Sequence, residues 1–250
     1  GAYSAISEPA APTAEHEFHL HPKDVKFASD GAFGKFDKQQ LQRGFQVYKE
    51  VCSTCHSLKH VAFRDLAALG YSEAEVKAIA KEWGTKQPTF DAKTGERAER
   101  DNIPSDYFPT VYYAGQGSPP DLSLITKARH NGGAYVASLL TGYQEQPAEL
   151  LKKFPDAKTP DGLYYNPYFA NLNLSMPAPL TGEGQVTYSD GTKATVDQMA
   201  QDVSAFLIWT AEPKLDKRKQ TGWAVLGFLL FATVLAYLAK KNVWADKKGE

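Results

Sequence analysis

Twenty consecutive residues, Gln220 to Ala239, carry no charge and read QTGWAVLGFLLFATVLAYLA. At 1.5 Å per residue a helix of this length is about 30 Å long, the thickness of a bilayer's hydrocarbon core. Trp223 near one end, and Tyr237 and Trp244 near the other, suit the two interfaces. The length, the missing charges and the basic flanks favour a membrane span over a buried core helix. Upstream, Val196, Met199, Val203, Phe206 and Leu207 recur at helical spacing and predict a helix over Thr195–Trp209, closed by Glu212-Pro213. Leu41, Phe45 and Val47–Tyr48 predict an amphipathic helix from Asp37 to Val51. Ser72-Glu73-Ala74-Glu75 is a capping box opening a helix to about Trp83. A helix pair is expected near Leu122–His130 and Gly133–Thr141. Residues 85–120 and 144–182, dense in Pro, Gly, Tyr and Asn, read as long loops. Gln185–Thr195 reads as a short hairpin turning at Asp190-Gly191. The pattern predicts a mainly α chain with long loops: an extended arm over 1–22, a helical domain over 23–212, an anchor helix over 213–243 and a tail over 244–250.

Charge adds an asymmetry. Of 28 basic and 29 acidic residues, eight and three lie in residues 214–250, which leaves 20 and 26, a net of −6, in residues 1–213. An acidic domain argues against nucleic acid and suits a basic protein partner. Glu96, Glu99 and Asp101 are candidate docking acids, with a solvated loop as the alternative. His16, His19 and His21 read as part of a polar arm, because no cysteine or acidic cage accompanies them. The chain opens Gly-Ala-Tyr-Ser without a basic-then-apolar leader, so export would require that one had been removed.

The candidate chemistry lies in Cys52-Ser53-Thr54-Cys55-His56, which holds both cysteines of the chain. C-x-x-C-H is the attachment signature of c-type haem. Two thiols at this spacing can add across the two vinyl groups of one porphyrin, and the adjacent imidazole reaches the iron as proximal ligand. A thioredoxin-like pair would want a preceding strand, and none is visible. The iron needs a sixth ligand if the chain carries electrons. Met176 sits in Ser175-Met176-Pro177-Ala178-Pro179-Leu180, a loop stiffened by two prolines, whereas Met199 belongs to the apolar stripe of a helix. Core packing is the alternative role for Met176, and His130 the alternative ligand. His60 follows His56 by four residues and would share its haem face.

The blocks RGFQVYKEVCSTCHSL (Arg43–Leu58), SDYFP (Ser105–Pro109), PPDLS (Pro119–Ser123), ARHNGGAYVASLLTGY (Ala128–Tyr143), GLYYNPYF (Gly162–Phe169), SMPAPL (Ser175–Leu180) and DVSAFLIWTAEP (Asp202–Pro213) together resemble the cytochrome c1 family. The resemblance runs from about His19 to the anchor. It implies a c-type cytochrome domain with one covalently attached haem c, thioether links at Cys52 and Cys55, and axial ligation by His56 and Met176. It also implies Arg129 beside a haem propionate and a pocket walled by Pro119, Pro120 and Tyr135. Residues 144–161 look longer than the family's shorter versions and read as a possible surface insertion, which points to a bacterial source.

The function implied is a membrane-anchored relay in a quinol–cytochrome c oxidoreductase. It would take one electron at a time from a Rieske iron–sulfur protein and give it to a soluble, basic c-type cytochrome. The chain would act only as the electron-transfer subunit and turn over no substrate alone. Cytochrome b and Rieske subunits are the expected partners, in a dimeric complex. Four bases precede the span and four follow it, so charge leaves the orientation open. Covalent haem attachment outside the cytoplasm then places the large domain in the periplasm, with the short tail in the cytoplasm. A different membrane-anchored c-type carrier, such as an oxidase subunit, would share the motif and the span but lack the PPDLS, ARH and NPYF blocks. A haem enzyme or gas-binding protein would need an open sixth position, against which Met176 in its stiff loop argues.

Overall fold

Two helices crossing at a glycine organise the chain. The computed structural model describes residues 12–115, 117–245 and 247. Helix α1 spans Ala14–Phe18, α2 Lys38–Val47, α3 Glu73–Glu82, α4 Gly132–Leu140, α5 Ala148–Lys153, α6 Val196–Ala211 and α7 Leu215–Val243. Asp37 caps α2, its carboxylate accepting from the Gln39 amide at 2.9 Å. At the crossing of α2 and α6 a Cβ on Gly44 would overlap the Asp202 carbonyl, so the two backbones touch where glycine permits it. Leu41 and Phe45 bury on one side of this contact and Met199, Val203 and Phe206 on the other. Helix α4 packs on α6, where Gly133 lets it approach Ile208.

An ion pair is buried at the edge of this core. Arg43 Nε donates to the fully buried Asp202 carboxylate at 2.9 Å while its Nη1 reaches Asp190 at 2.7 Å. Gln198 donates to the remaining Asp202 oxygen at 2.9 Å. Around Phe45 and Tyr48 the rings of Phe63, Trp83, Phe108 and Phe206 form an aromatic cluster. Ser72 caps α3 with Glu75 reciprocating, as the capping box requires.

Several expectations change. Residues 123–130 form successive turns and bends, not a helix: the Ile125 and Lys127 amides reach back three residues, to the Leu122 and Leu124 carbonyls. The Asp190-Gly191 turn forms with Gly191 at φ +76°, but residues 185–195 build no paired strands. The Thr187 carbonyl accepts from the Gln46 side chain at 2.7 Å, and Val186 and Tyr188 are buried against the core. A hairpin occurs instead in the stretch expected to be loop: β1 (Gln87–Phe90) pairs antiparallel with β2 (Arg97–Arg100), Gln87 opposite Arg100.

Residues Ala14–Phe18, within the stretch expected to be an extended arm, are helical and seal a second small core made by Ala14, Leu150, Tyr165 and Leu172. Helix α5, inside 144–161, supplies Leu150, and Phe18 meets Phe154 edge to face. Residues 1–11 lie outside the described residues, as does most of the 244–250 tail. Helix α7 leaves Leu226, Phe228, Leu230 and Phe231 more than half exposed and is long and apolar enough to cross a membrane.

Candidate haem site

Helix α2 ends by widening into a π turn over Tyr48–Cys52, which delivers Cys52 at its last residue. Such expansions recur at functional sites because one added residue re-aims every side chain after it. The turn continues through Cys55 and His56, whose amides both return to the Cys52 carbonyl at 3.1 and 2.9 Å. No disulfide joins Cys52 to Cys55. Burial, reinforced by the nearby Cys55, pushes the Cys52 thiol up to about 12, so it is protonated at neutral pH.

The segment Pro119–Ser123 is stitched to the residues that follow the cysteines. His56 Nδ1 lies 2.7 Å from the Pro120 carbonyl, the Lys59 amide donates to Asp121 at 2.8 Å, the Leu122 amide to the Ser57 carbonyl at 2.9 Å and the His60 amide to Ser123 Oγ at 3.1 Å. A carbonyl can only accept, so Nδ1 carries the proton and Nε2 keeps its lone pair. Burial lowers the His56 pKa, and the Pro120 contact and Asp121 oppose it in part. From below, the buried Tyr48 hydroxyl donates to the His56 carbonyl at 2.9 Å.

Met176 sits partly exposed between buried Leu174 and Leu180, and β4 (Asn173–Leu174) pairs with β3 (Tyr164–Tyr165) to hold one end of its loop. The Tyr143 hydroxyl donates to the Met176 carbonyl at 3.0 Å. Gly117, at φ +83°, approaches so closely that a Cβ there would lie 2.8 Å from Ser175 Oγ. The Met176 loop and the segment leading to Pro120 are therefore neighbours. Met199 is fully buried in the main core.

Arg129 is exposed, its Nη1 donating to the adjacent Ala128 carbonyl at 3.0 Å. Burial raises the Tyr135 phenol and the neighbouring Arg129 charge opposes that rise, so these two expected site residues meet. Pro119 is half-buried and Pro120 exposed, and His130 is exposed on a turn. The acidic cluster is not bare: Asp101 pairs with Lys86 at 2.6 Å, and β2 carries Arg97 and Arg100 on either side of Glu99, with Glu96 just before it.

The donor set fits a c-type haem: two reduced thiols, an imidazole presenting Nε2, and a thioether in a braced loop. Sequence reasoning placed Pro120 as a wall and overlooked its carbonyl, together with Tyr48, Ser57, Asp121 and Ser123. The PPDLS block was the available signal, since its Asp121 and Ser123 side chains are the ones that bond the residues after the motif.

Comparison with known proteins places this arrangement in context. A model of the Cytochrome C1 family matches residues 27–247. The chain is 44% identical over 248 residues to a Bradyrhizobium diazoefficiens protein named cytochrome b/c1, covering 90% of this chain but 36% of that protein. It is 42% identical to the Rhodospirillum rubrum cytochrome c1, covering 96% of this chain and 92% of the relative. A Candida albicans protein named cytochrome b-c1 complex catalytic subunit, mitochondrial, is 39% identical over 98% of this chain and 84% of its own length. The chain thus spans about a third of the Bradyrhizobium relative and nearly all of the Rhodospirillum one.

Proposed function

The chain belongs to the cytochrome c1 family, and on that premise we propose that it carries single electrons within a quinol–cytochrome c oxidoreductase. Proteins of this family are the haem electron-transfer subunits of cytochrome bc1 complexes. One covalently held haem c supplies the one-electron couple. Cys52 and Cys55 would hold it through thioethers, and His56 Nε2 and the Met176 thioether would be its iron ligands. Arg129 would offer its guanidinium fork to a propionate, and Pro119, Pro120 and Tyr135 would line the pocket.

The observation that carries this reading is the 2.7 Å contact from His56 Nδ1 to the Pro120 carbonyl. It selects the tautomer and the ring plane that a metal-bound imidazole needs. The protein's remaining work is positional. Tyr48 and the Pro119–Ser123 stitching hold His56, while Tyr143 and the paired β3–β4 strands hold Met176.

Electrons enter from a Rieske iron–sulfur subunit and leave to a soluble c-type cytochrome whose basic face is steered by the net −6 of residues 1–213. Names that pair relatives with cytochrome b support membership of a cytochrome b–c1 complex, and the proposal extends this to a cytochrome b neighbour and a dimeric assembly. Helix α7 anchors the chain in the inner membrane, with the large domain in the periplasm and the tail in the cytoplasm. The chain contributes electron transfer to the complex and turns over no substrate of its own.

Absorption spectra of the membrane-embedded protein test the ligand set. Met176→Leu is expected to abolish the sulfur-to-iron charge-transfer band of the oxidised form and lower the reduction potential, while Met199→Leu leaves both in place. An unchanged Met176→Leu spectrum would exclude Met176 as ligand.

A further inference from the structure

Between Phe27 and Phe36 the chain closes a compact loop. The Phe27 amide donates to the Asp30 carboxylate at 2.8 Å and the Lys35 amide to the Ala28 carbonyl at 2.9 Å, with Gly31 at φ +67°. A Cβ on Gly34 would overlap the Asp30 carbonyl, so only glycine fits the closure. Helix α7 grips this loop at three levels. The Asp216 carboxylate accepts from the Phe36 amide at 3.2 Å. Lys219 Nζ donates to the Ser29 and Gly34 carbonyls at 2.6 and 3.2 Å. Trp223 Nε1 donates to the Ala32 carbonyl at 3.4 Å. The loop's tip, Phe33, stacks on Trp223 with centroids 4.7 Å apart and planes 4° from parallel, yet Phe33 is 78% exposed and Trp223 46%.

We propose that this loop is an interfacial foot: the stacked Phe33–Trp223 pair enters the headgroup–acyl boundary of the bilayer and sets the angle at which the large domain stands on the membrane. Trp223 is the fourth residue of the uncharged run, about 5 Å along the helix from its start, a depth at which aromatic rings seat in lipid. Four polar contacts from α7 brace the backbone around an outward-held phenylalanine, and an exposed apolar tip fixed in this way suits a lipid surface better than water. Exposed Lys35 and Lys217, each adjacent in sequence to the Phe36–Asp216 contact, suit anionic headgroups just above it.

The inference rests on α7 spanning the bilayer, and the test separates the two. In the haem-loaded chain, where Cys52 and Cys55 are consumed, single nitroxide labels are attached at Ala32→Cys, Leu230→Cys or Phe90→Cys. The full chain is reconstituted in vesicles of phosphatidylethanolamine and phosphatidylglycerol, and collision with oxygen is compared with collision with a water-soluble nickel chelate. Position 90, on the hairpin, is the aqueous reference. The oxygen-to-nickel ratio at position 32 is expected to exceed that at 90 several-fold, and to fall towards it when Phe33→Ser is added. A ratio at 32 equal to that at 90, with 230 lipid-buried, overturns the foot alone. Protection at 32 that arises only in the assembled complex overturns it in favour of a protein neighbour. An aqueous ratio at 230 overturns both the foot and the membrane span.

Discussion

The Tyr48 hydroxyl donates to the His56 carbonyl across 2.9 Å, joining the first residue of the π turn to the residue that follows the second cysteine. Tyr48 is 1% exposed, and burial holds its phenol well above the ordinary tyrosine value. Tyr48→Phe keeps the ring in the aromatic cluster and leaves the carbonyl unpaired. The expected cost is about 1–3 kcal/mol, read as a lower midpoint in guanidinium unfolding of the haem-loaded protein.

Gly44→Ala places a methyl group against the Asp202 carbonyl and Phe206, where neither helix can yield without moving the other. Overpacking of this kind costs about 3 kcal/mol. Thermal unfolding is expected to shift down by several degrees, whereas Gly182→Ala, where a Cβ meets nothing, leaves the midpoint unchanged.

Arg43 and Asp202 form a pair whose halves depend on each other. Arg43→Met strands a fully buried carboxylate with Gln198 as its remaining side-chain partner, an expected loss of about 3–5 kcal/mol. Adding Asp202→Leu removes the stranded charge and is expected to recover most of that loss in the same unfolding assay. Strictly additive single and double variants would show that the two side chains do not interact.

What the chain's letters reveal depends on whether side chains or backbone carry the contact. Helices α2, α3 and α6 were legible because Leu41, Phe45, Ser72, Glu75, Val203 and Phe206 act through spacing along their own segments. The cysteine pair and the span were legible for the same reason. The Pro120 carbonyl was not, since a backbone acceptor has no residue type and its value arises only when His56 arrives from 64 positions away. The turns over 123–130 close through three-residue bonds where the letters suggested a helix, and the 185–195 segment shows a turn signal obeyed without its strands. The Gly44–Asp202 approach is likewise a property of two segments 158 positions apart, silent in either alone.

Asp106 is among the carboxylates that make the fold sensitive to acid. Arg100 donates to both its oxygens at 2.6 and 2.7 Å and the Ile103 amide adds a third bond, so its pKa lies below the ordinary aspartate value. The carboxylate is therefore ionised more readily when folded. Its stabilisation is complete above the unfolded-chain value of about 3.9 and is lost as pH falls through the lower folded value. Asp106→Asn should be less stable than the parent at pH 6, and the gap should close below about pH 4 in paired denaturation curves.

Between α6 and α7 stand only Glu212, Pro213 and Lys214, and Glu212 is itself held by Lys127 at 3.2 Å and by Arg218. With loop 27–36 gripped on the other side, the joint between the large domain and its anchor is braced on two faces. Such bracing favours a fixed post over a swinging arm. Any travel needed to bring electron donor and acceptor within transfer range must then be made by the partners, and what this chain gives to turnover is a constant position above the membrane.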